Sequence, residues 1–197
     1  MFVMTVDQRG SRADSDRVED LLARVAGTPV VRAFERTAGD EVQAVIADAD
    51  PVVDLAMLLA DDGHWSIGIG VGAVELPLPA STRAGRGPAF EFARDAVEAA
   101  KNSHPPIAVR GEPDEQARYA QTALRLLIGI TTTRSDAGRE AVRLIHAGMS
   151  QVGAAERLGI SQQAMSQRLR AARWDSEQPA RELAVELLRQ ADSAAAR

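Results

Sequence analysis

Apolar and polar positions alternate along the first 112 residues in short blocks, and each block predicts one element. Residues 2–6, FVMTV, form a β-prone apolar run that ends at Asp7 and enters a polar loop with Gly10 and Ser11. A helix is predicted from about 16, carrying Val18, Leu21, Leu22 and Val25 at amphipathic spacing and stopping at Gly27. Residues 29–37 and 41–46 read as a hairpin turning at Ala38-Gly39, with Asp40 at its tip. A helix over 51–60 starts with Pro51 and breaks at Asp62-Gly63. Residues 65–74, WSIGIGVGAV, are a strand studded with Gly, which predicts that a backbone or a ligand comes close. The Pro- and Gly-rich stretch 76–87 is a loop, expected to be mobile; 88–101 is a helix with Phe90, Ala93 and Val97 inward, and 106–110 closes the set as a strand. The order βαββαβ, then αβ, predicts an α+β fold related to the ferredoxin-like split βαβ.

Beyond residue 112 the periodicity is helical throughout. A long helix over 114–131 (domain bounds 113–134) is expected to connect two halves, followed by a helix-turn-helix domain over 135–176. Over 177–197, a last helix starting at Pro179 places Leu183, Leu187, Leu188 and Ala191 in a stripe that wants a partner, from this chain or from a second copy in a homodimer.

The most informative stretch is 150–174, SQVGAAERLGISQQAMSQRLRAARW. Two helices crossing at a tight turn need a small residue at the crossing, a turn residue tolerant of positive φ, and an apolar anchor on the second helix. Ala155, Gly159 and Met165 occupy those places in register, with Ser150 and Ser161 set as N-caps. Met165 and Leu169 then face Ala155, Leu158 and Ile160, which leaves Gln162, Gln163, Ser166, Gln167 and Arg170 outward beside Ser161. Gln suits adenine and Arg suits guanine in a major groove, while Arg168 and Arg173 can reach phosphates. Leu169 directly after Arg168 resembles the helix-turn-helix of region four of sigma factors and of LuxR-type regulators. A helical hairpin that serves only packing or protein contact is the plainer alternative.

Charge sharpens this picture. Residues 134–174 hold seven Arg against Asp136, Glu140 and Glu156, a local +4 in a chain of net charge -5. That asymmetry predicts double-stranded DNA as the partner of the C-terminal half. The 197 residues contain no Cys, so disulfides and thiolate metal sites are excluded, and no apolar run approaches the ~20 residues of a bilayer span. A cytoplasmic protein without a membrane partner is expected. His64, His104 and His146 show no ligand spacing and are expected at the surface or at helix ends, and Trp65 and Trp174 as core anchors.

In the N-terminal half, DxxGSR beginning at Asp7, GDExQ at Gly39, the GIGVG strand and GPAFxxAR at Gly87 follow in order and are trailed by the helix-turn-helix. This combination resembles the palm domain of class III nucleotide cyclases and GGDEF diguanylate cyclases and, more narrowly, the SatD-like family of bacterial proteins. The resemblance covers nearly the whole chain. It implies a palm domain in which Asp7 and Asp40, supplemented by Glu41, hold a divalent cation such as Mg2+ while Gly10, Ser11 and Arg12 cradle the phosphates of a nucleotide. A cation would also relieve the repulsion between paired carboxylates. The plainer roles are a helix cap for Asp7 and a turn position for Asp40.

The chain departs from those families where catalysis is concerned. The Asn and Arg that steady the transition state in class III cyclases correspond to Glu91 and Asp95, whose carboxylates would repel phosphates. Ala38 replaces the first Gly, and Val42 the Phe, of the diguanylate cyclase motif. A DNA-binding transcriptional regulator with a sensory or dimerising palm is therefore expected, the alternative being an active metal-dependent nucleotidyl cyclase regulated by its C-terminal helices.

Overall fold

The computed structural model describes residues 1–11 and 15–196. Five strands, β1 (Phe2–Gln8), β2 (Arg32–Arg36), β3 (Glu41–Ile46), β4 (Trp65–Val71) and β5 (Ile107–Gly111), form one mixed sheet in the order β2-β3-β1-β4-β5. β1 runs antiparallel to β3 and β4, and β5 parallel to β4. A strand thus lies between β1 and β2, and another between β3 and β4, so these two β-α-β units are split, whereas β4-α3-β5 joins neighbouring parallel strands. This α+β sheet and the helical region after it agree with the coarse expectation from patterning.

Because side chains alternate across a strand, β1 offers Phe2, Met4 and Val6 to one face and Val3, Thr5 and Asp7 to the other. The first face meets α1 (Val18–Val25), α2 (Ala49–Asp62), α4 (Asp114–Thr132) and α8 (Trp174–Ala195) in a single buried cluster. The second face is covered by α3 (Pro88–Lys101), through Ala89, Phe90 and Ala93 over Val3 and Val45. The glycines of β4 belong to this packing: a Cβ on Gly68 or Gly70 would strike the α3 backbone at Ala93 or Val97. What comes close to this strand is a helix backbone.

Both sheet edges are sealed by side chains. Along β5, Gln121 of α4 accepts the Val109 N–H at 3.1 Å, and Arg125 donates to the Ile107 carbonyl at 3.0 and 2.9 Å. α4 is therefore part of the sheet's helical layer as well as the link to the C-terminal helices. Along β2, Thr82 donates to the Ala33 carbonyl at 2.7 Å, while Arg32 reaches the carbonyls of Pro79 and Leu78 at 2.6 and 2.9 Å. The loop expected to be mobile is pinned to the edge strand, the usual remedy for exposed ladder groups.

α5 (Asp136–His146), α6 (Gln151–Leu158) and α7 (Gln162–Ala171) build a second core of their own around Val142, Leu144, Ala155, Met165 and Leu169. α8 then returns to the first core. It begins at Trp174, with Pro179 inside it, so the start expected at Pro179 is five residues late. Its buried stripe is Ala184, Val185, Leu188 and Ala191, whereas Leu183 is 52% exposed. That stripe finds its partner within the chain, against α4 and α2, and gives no motive for a second copy. Among the described residues no helix is long and apolar enough to cross a membrane.

Candidate functional site

The polypeptide reaches α7 through two side-chain caps and a left-handed residue. Ser150 Oγ accepts the Gly153 N–H at 3.1 Å to start α6. Gly159 ends it at φ +63, and the Ile160 N–H returns to the Ala155 carbonyl at 3.0 Å. Ser161 Oγ then accepts the Ala164 N–H at 3.1 Å and opens α7. These local bonds fix how α7 rolls. Met165 and Leu169, at 0% and 1% exposure, go inward, and Gln162, Gln163, Ser166, Gln167 and Arg170 are all exposed. Ser161 and Arg173 are exposed as well, and Arg168 is half-buried. Arg173, in the left-handed region at φ 50, sits at the N-cap of α8.

Electrostatics distinguish this surface further. Among the described residues, the guanidinium groups of Arg143, Arg157, Arg168, Arg170 and Arg173 form no hydrogen bond or ion pair, whereas Arg139 pairs with Asp136 at 3.8 Å. Ser166 Oγ donates to Gln151 Oε1 at 3.3 Å and so links the exposed side of α7 to the first turn of α6. The exposed side of α7 is thus polar, with unpaired positive charge on Arg168 and Arg170 in its last turn and on Arg173 just beyond it.

Arg134, which sequence reasoning passed over, ties this unit to the rest of the protein. Its Nε–H donates to the Ala172 carbonyl at 2.8 Å, just beyond α7, and its terminal nitrogen reaches Glu177 Oε2 of α8 at 2.8 Å. His146, at the end of α5, places Nε2 3.7 Å from the same oxygen. A single buried guanidinium thereby connects the α4–α5 junction, α7 and α8.

The second group of candidate residues lies at the far end of the sheet. β1 and β3 pair Asp7 with Glu41, and Asp40 follows Gly39 at the hairpin tip, where Gly39 takes φ +58. Burial pushes the Asp7 carboxyl above its ordinary value, with Asp40 and Glu98 adding to the rise and Lys101 opposing it. Lys101 Nζ stands 3.2 Å from Asp7 Oδ2 and 2.7 Å from Glu98 Oε1. The cation that steadies Asp7 in this structure is an ammonium. Glu41 Oε1 is engaged by the Thr37 hydroxyl at 2.5 Å. Among the described residues no three His, Cys, Asp or Glu side chains gather as a metal-binding group.

Asp7 and Gly10 nevertheless border one open cleft of about 480 Å³ with Arg9, Gly63, His64 and Lys101. Gly10, at φ +71, and Ser11 form an exposed turn, while Arg12 falls outside the described residues. The turn is anchored by Gln8, buried to 2%, which donates to the Ser15 carbonyl at 2.7 Å and accepts the Arg17 N–H at 2.9 Å. Glu91 and Asp95 are not at this cleft. α3 starts beside the end of β4, where the Ala89 N–H meets the Ala73 carbonyl, whereas Asp7 faces Ser66 at the start of β4. At 1.5 Å per residue Glu91 is about 15 Å along the helix from Lys101, so the residue α3 brings to Asp7 is Lys101. A Lys standing alone among 22 Arg was the available signal.

Comparison of the chain with protein-family models, with curated proteins and with solved structures returns no match.

Proposed function

We propose that the protein is a DNA-binding transcriptional regulator in which α6 and α7 form a helix-turn-helix and α7 enters the major groove. One observation carries this reading: the outward ridge of Gln162, Gln163, Ser166, Gln167 and Arg170 is wholly exposed while Met165 and Leu169 anchor the opposite side. The unpaired arginines around it supply the phosphate contacts that hold such a helix in register. The sheet half is a palm-like, SatD-like sensory domain in a cytoplasmic protein, with Asp7, Gly10 and Lys101 lining a nucleotide cleft. A symmetric operator would require a homodimer formed through a surface other than the buried stripe of α8.

Selection of duplexes from a random pool, followed by affinity measurement on the enriched sequence, tests this. The triple variant Gln163→Ala, Gln167→Ala, Arg170→Ala should lose about 3 kcal/mol or more of specific affinity, at ~1–3 kcal/mol for each base contact. Equal binding by wild type and variant would overturn it.

A second reading, a metal-dependent nucleotidyl cyclase, is favoured by the pairing of Asp7 with Glu41 beside Asp40 and by Lys101, a phosphate-attracting group, at the same cleft. Asp7 and Asp40 would hold Mg2+, which would neutralise the phosphates of the bound nucleotide. Incubation with ATP or GTP and Mg2+ or Mn2+ should then give a cyclic or dinucleotide product that the Asp40→Ala variant does not form, and no product above that control would exclude it.

A further inference from the structure

A cavity of about 490 Å³ opens at the seam between the two cores. Its apolar wall is Met57 of α2, Leu127 of α4 and Trp174 at the start of α8, and its rim is charged. A mainly apolar cavity of this size, with a few convergent polar groups and placed between packing units, is the usual setting for a small organic ligand.

The rim decides which ligand. Arg181 is engaged with Asp54 Oδ1 at 3.0 and 2.7 Å and with Asp50 at 3.4 Å. Glu177 Oε2 already receives Arg134 at 2.8 Å and faces His146 at 3.7 Å. Gln178 of the same rim donates to Glu182 at 3.0 Å, and the second oxygens of the two paired carboxylates, Asp54 Oδ2 and Glu177 Oε1, are left as anionic acceptors with no hydrogen bond among the described residues. An incoming carboxylate or phosphate would set like charge against them, whereas an ammonium group answers them.

We infer that this seam cavity binds an organic cation, a protonated amine on an apolar or aromatic body, with its head group at Glu177 and Asp54 and its body against Trp174, Met57 and Leu127. Glu177 also holds Arg134, whose other bond ends on the Ala172 carbonyl beyond α7, so occupancy is transmitted toward the ridge. That transmission rests on the DNA-binding reading; the binding itself does not.

The full-length protein, without DNA, is titrated with phenylbutylamine, phenylbutanol and phenylbutyrate at neutral pH, with calorimetry and indole fluorescence as readouts. The three probes share one body and differ in charge. The amine should saturate a single site about tenfold more tightly than the alcohol, a difference of ~1.4 kcal/mol, and the carboxylate should not saturate. Glu177→Gln should remove the amine's advantage. Asp54→Asn, an exposed rim substitution that leaves Arg134 untouched, should reduce it even if the first variant disturbs the seam. Failure of the amine to saturate at millimolar concentration, equal binding by the carboxylate, or an undiminished preference in both variants would overturn the inference. Amine binding in a protein that ignores DNA would leave the site standing and remove only its link to α7.

Discussion

The Nε–H of Arg134 donates to the carbonyl of Ala172 at 2.8 Å, across 38 positions of sequence, and closes the last turn of α7 onto the α4–α5 junction. Arg134 is only 9% exposed and its second partner, Glu177, belongs to α8. Arg134→Met would leave a buried carbonyl without its donor and a part-buried carboxylate without its guanidinium. The expected cost is ~2–3 kcal/mol of unfolding free energy, measured by urea denaturation. A loss below ~0.5 kcal/mol, the ordinary range of surface substitutions, would mean the two cores do not depend on this residue.

Two glycines should respond in opposite directions to the same change. Gly68→Ala drives a methyl into the α3 backbone and should destabilise by ~3 kcal/mol or more. Gly129→Ala, inside α4 with open space around its added methyl, should stabilise by roughly 0.5–1 kcal/mol. Thermal melts of the pair check this, and a Gly68→Ala protein that melts no lower than wild type would contradict the packing of α3 on β4.

Acid stability has a specific source in Asp62. Partial burial works to raise its pKa, but the Trp65 indole N–H at 2.6 Å and the Arg24 guanidinium at 2.9 Å prevail, and the carboxyl is held below its usual 3.8. A depressed folded pKa gives stability that is present above 3.8 and lost as pH falls through the lower folded value. Asp62→Asn should therefore be less stable than wild type near neutrality, with the gap closing in strong acid. A gap that widens on acidification would contradict this sign.

Free arginines predict a salt signature. If Arg143, Arg157, Arg168 and Arg173 meet phosphates, log K should fall with log salt at a slope of roughly -4. Arg168→Ala or Arg173→Ala should each lessen that slope by about 1 without changing base preference. A slope unchanged in both variants would take the phosphate contacts elsewhere.

The features legible in the sequence are those fixed by neighbours in the chain. Ser150, Gly159 and Ser161 act within three or four residues, so α6, the turn and α7 can be placed closely, together with the inward direction of Met165 and Leu169. The hairpin at Gly39 and the Gly-rich β4 are similarly local. Illegible features depend on distant partners. Arg134 finds Ala172 and Glu177, Gln121 and Arg125 seal β5, and α8 docks on α4 and α2 through Ala184 and Leu188. Pro179 is a misleading signal for the start of α8, because proline commonly opens a helix whereas here a full turn from Trp174 precedes it. Motif spacing likewise does not reveal which end of α3 lies beside Asp7, so Lys101 is not legible as its partner; Glu91 and Asp95 lie away from that cleft.

In the proposed regulator, the ridge of α7 is the surface that DNA touches. Backbone amide shifts of the full-length protein, mapped while a selected duplex is added at low salt, report this directly. The largest changes are predicted at Gln162, Gln163, Ser166, Gln167 and Arg170 and at the Ser150 end of α6, with the β2–β3 hairpin unmoved. Largest changes at Asp7, Asp40 and Lys101, or none anywhere, would contradict it.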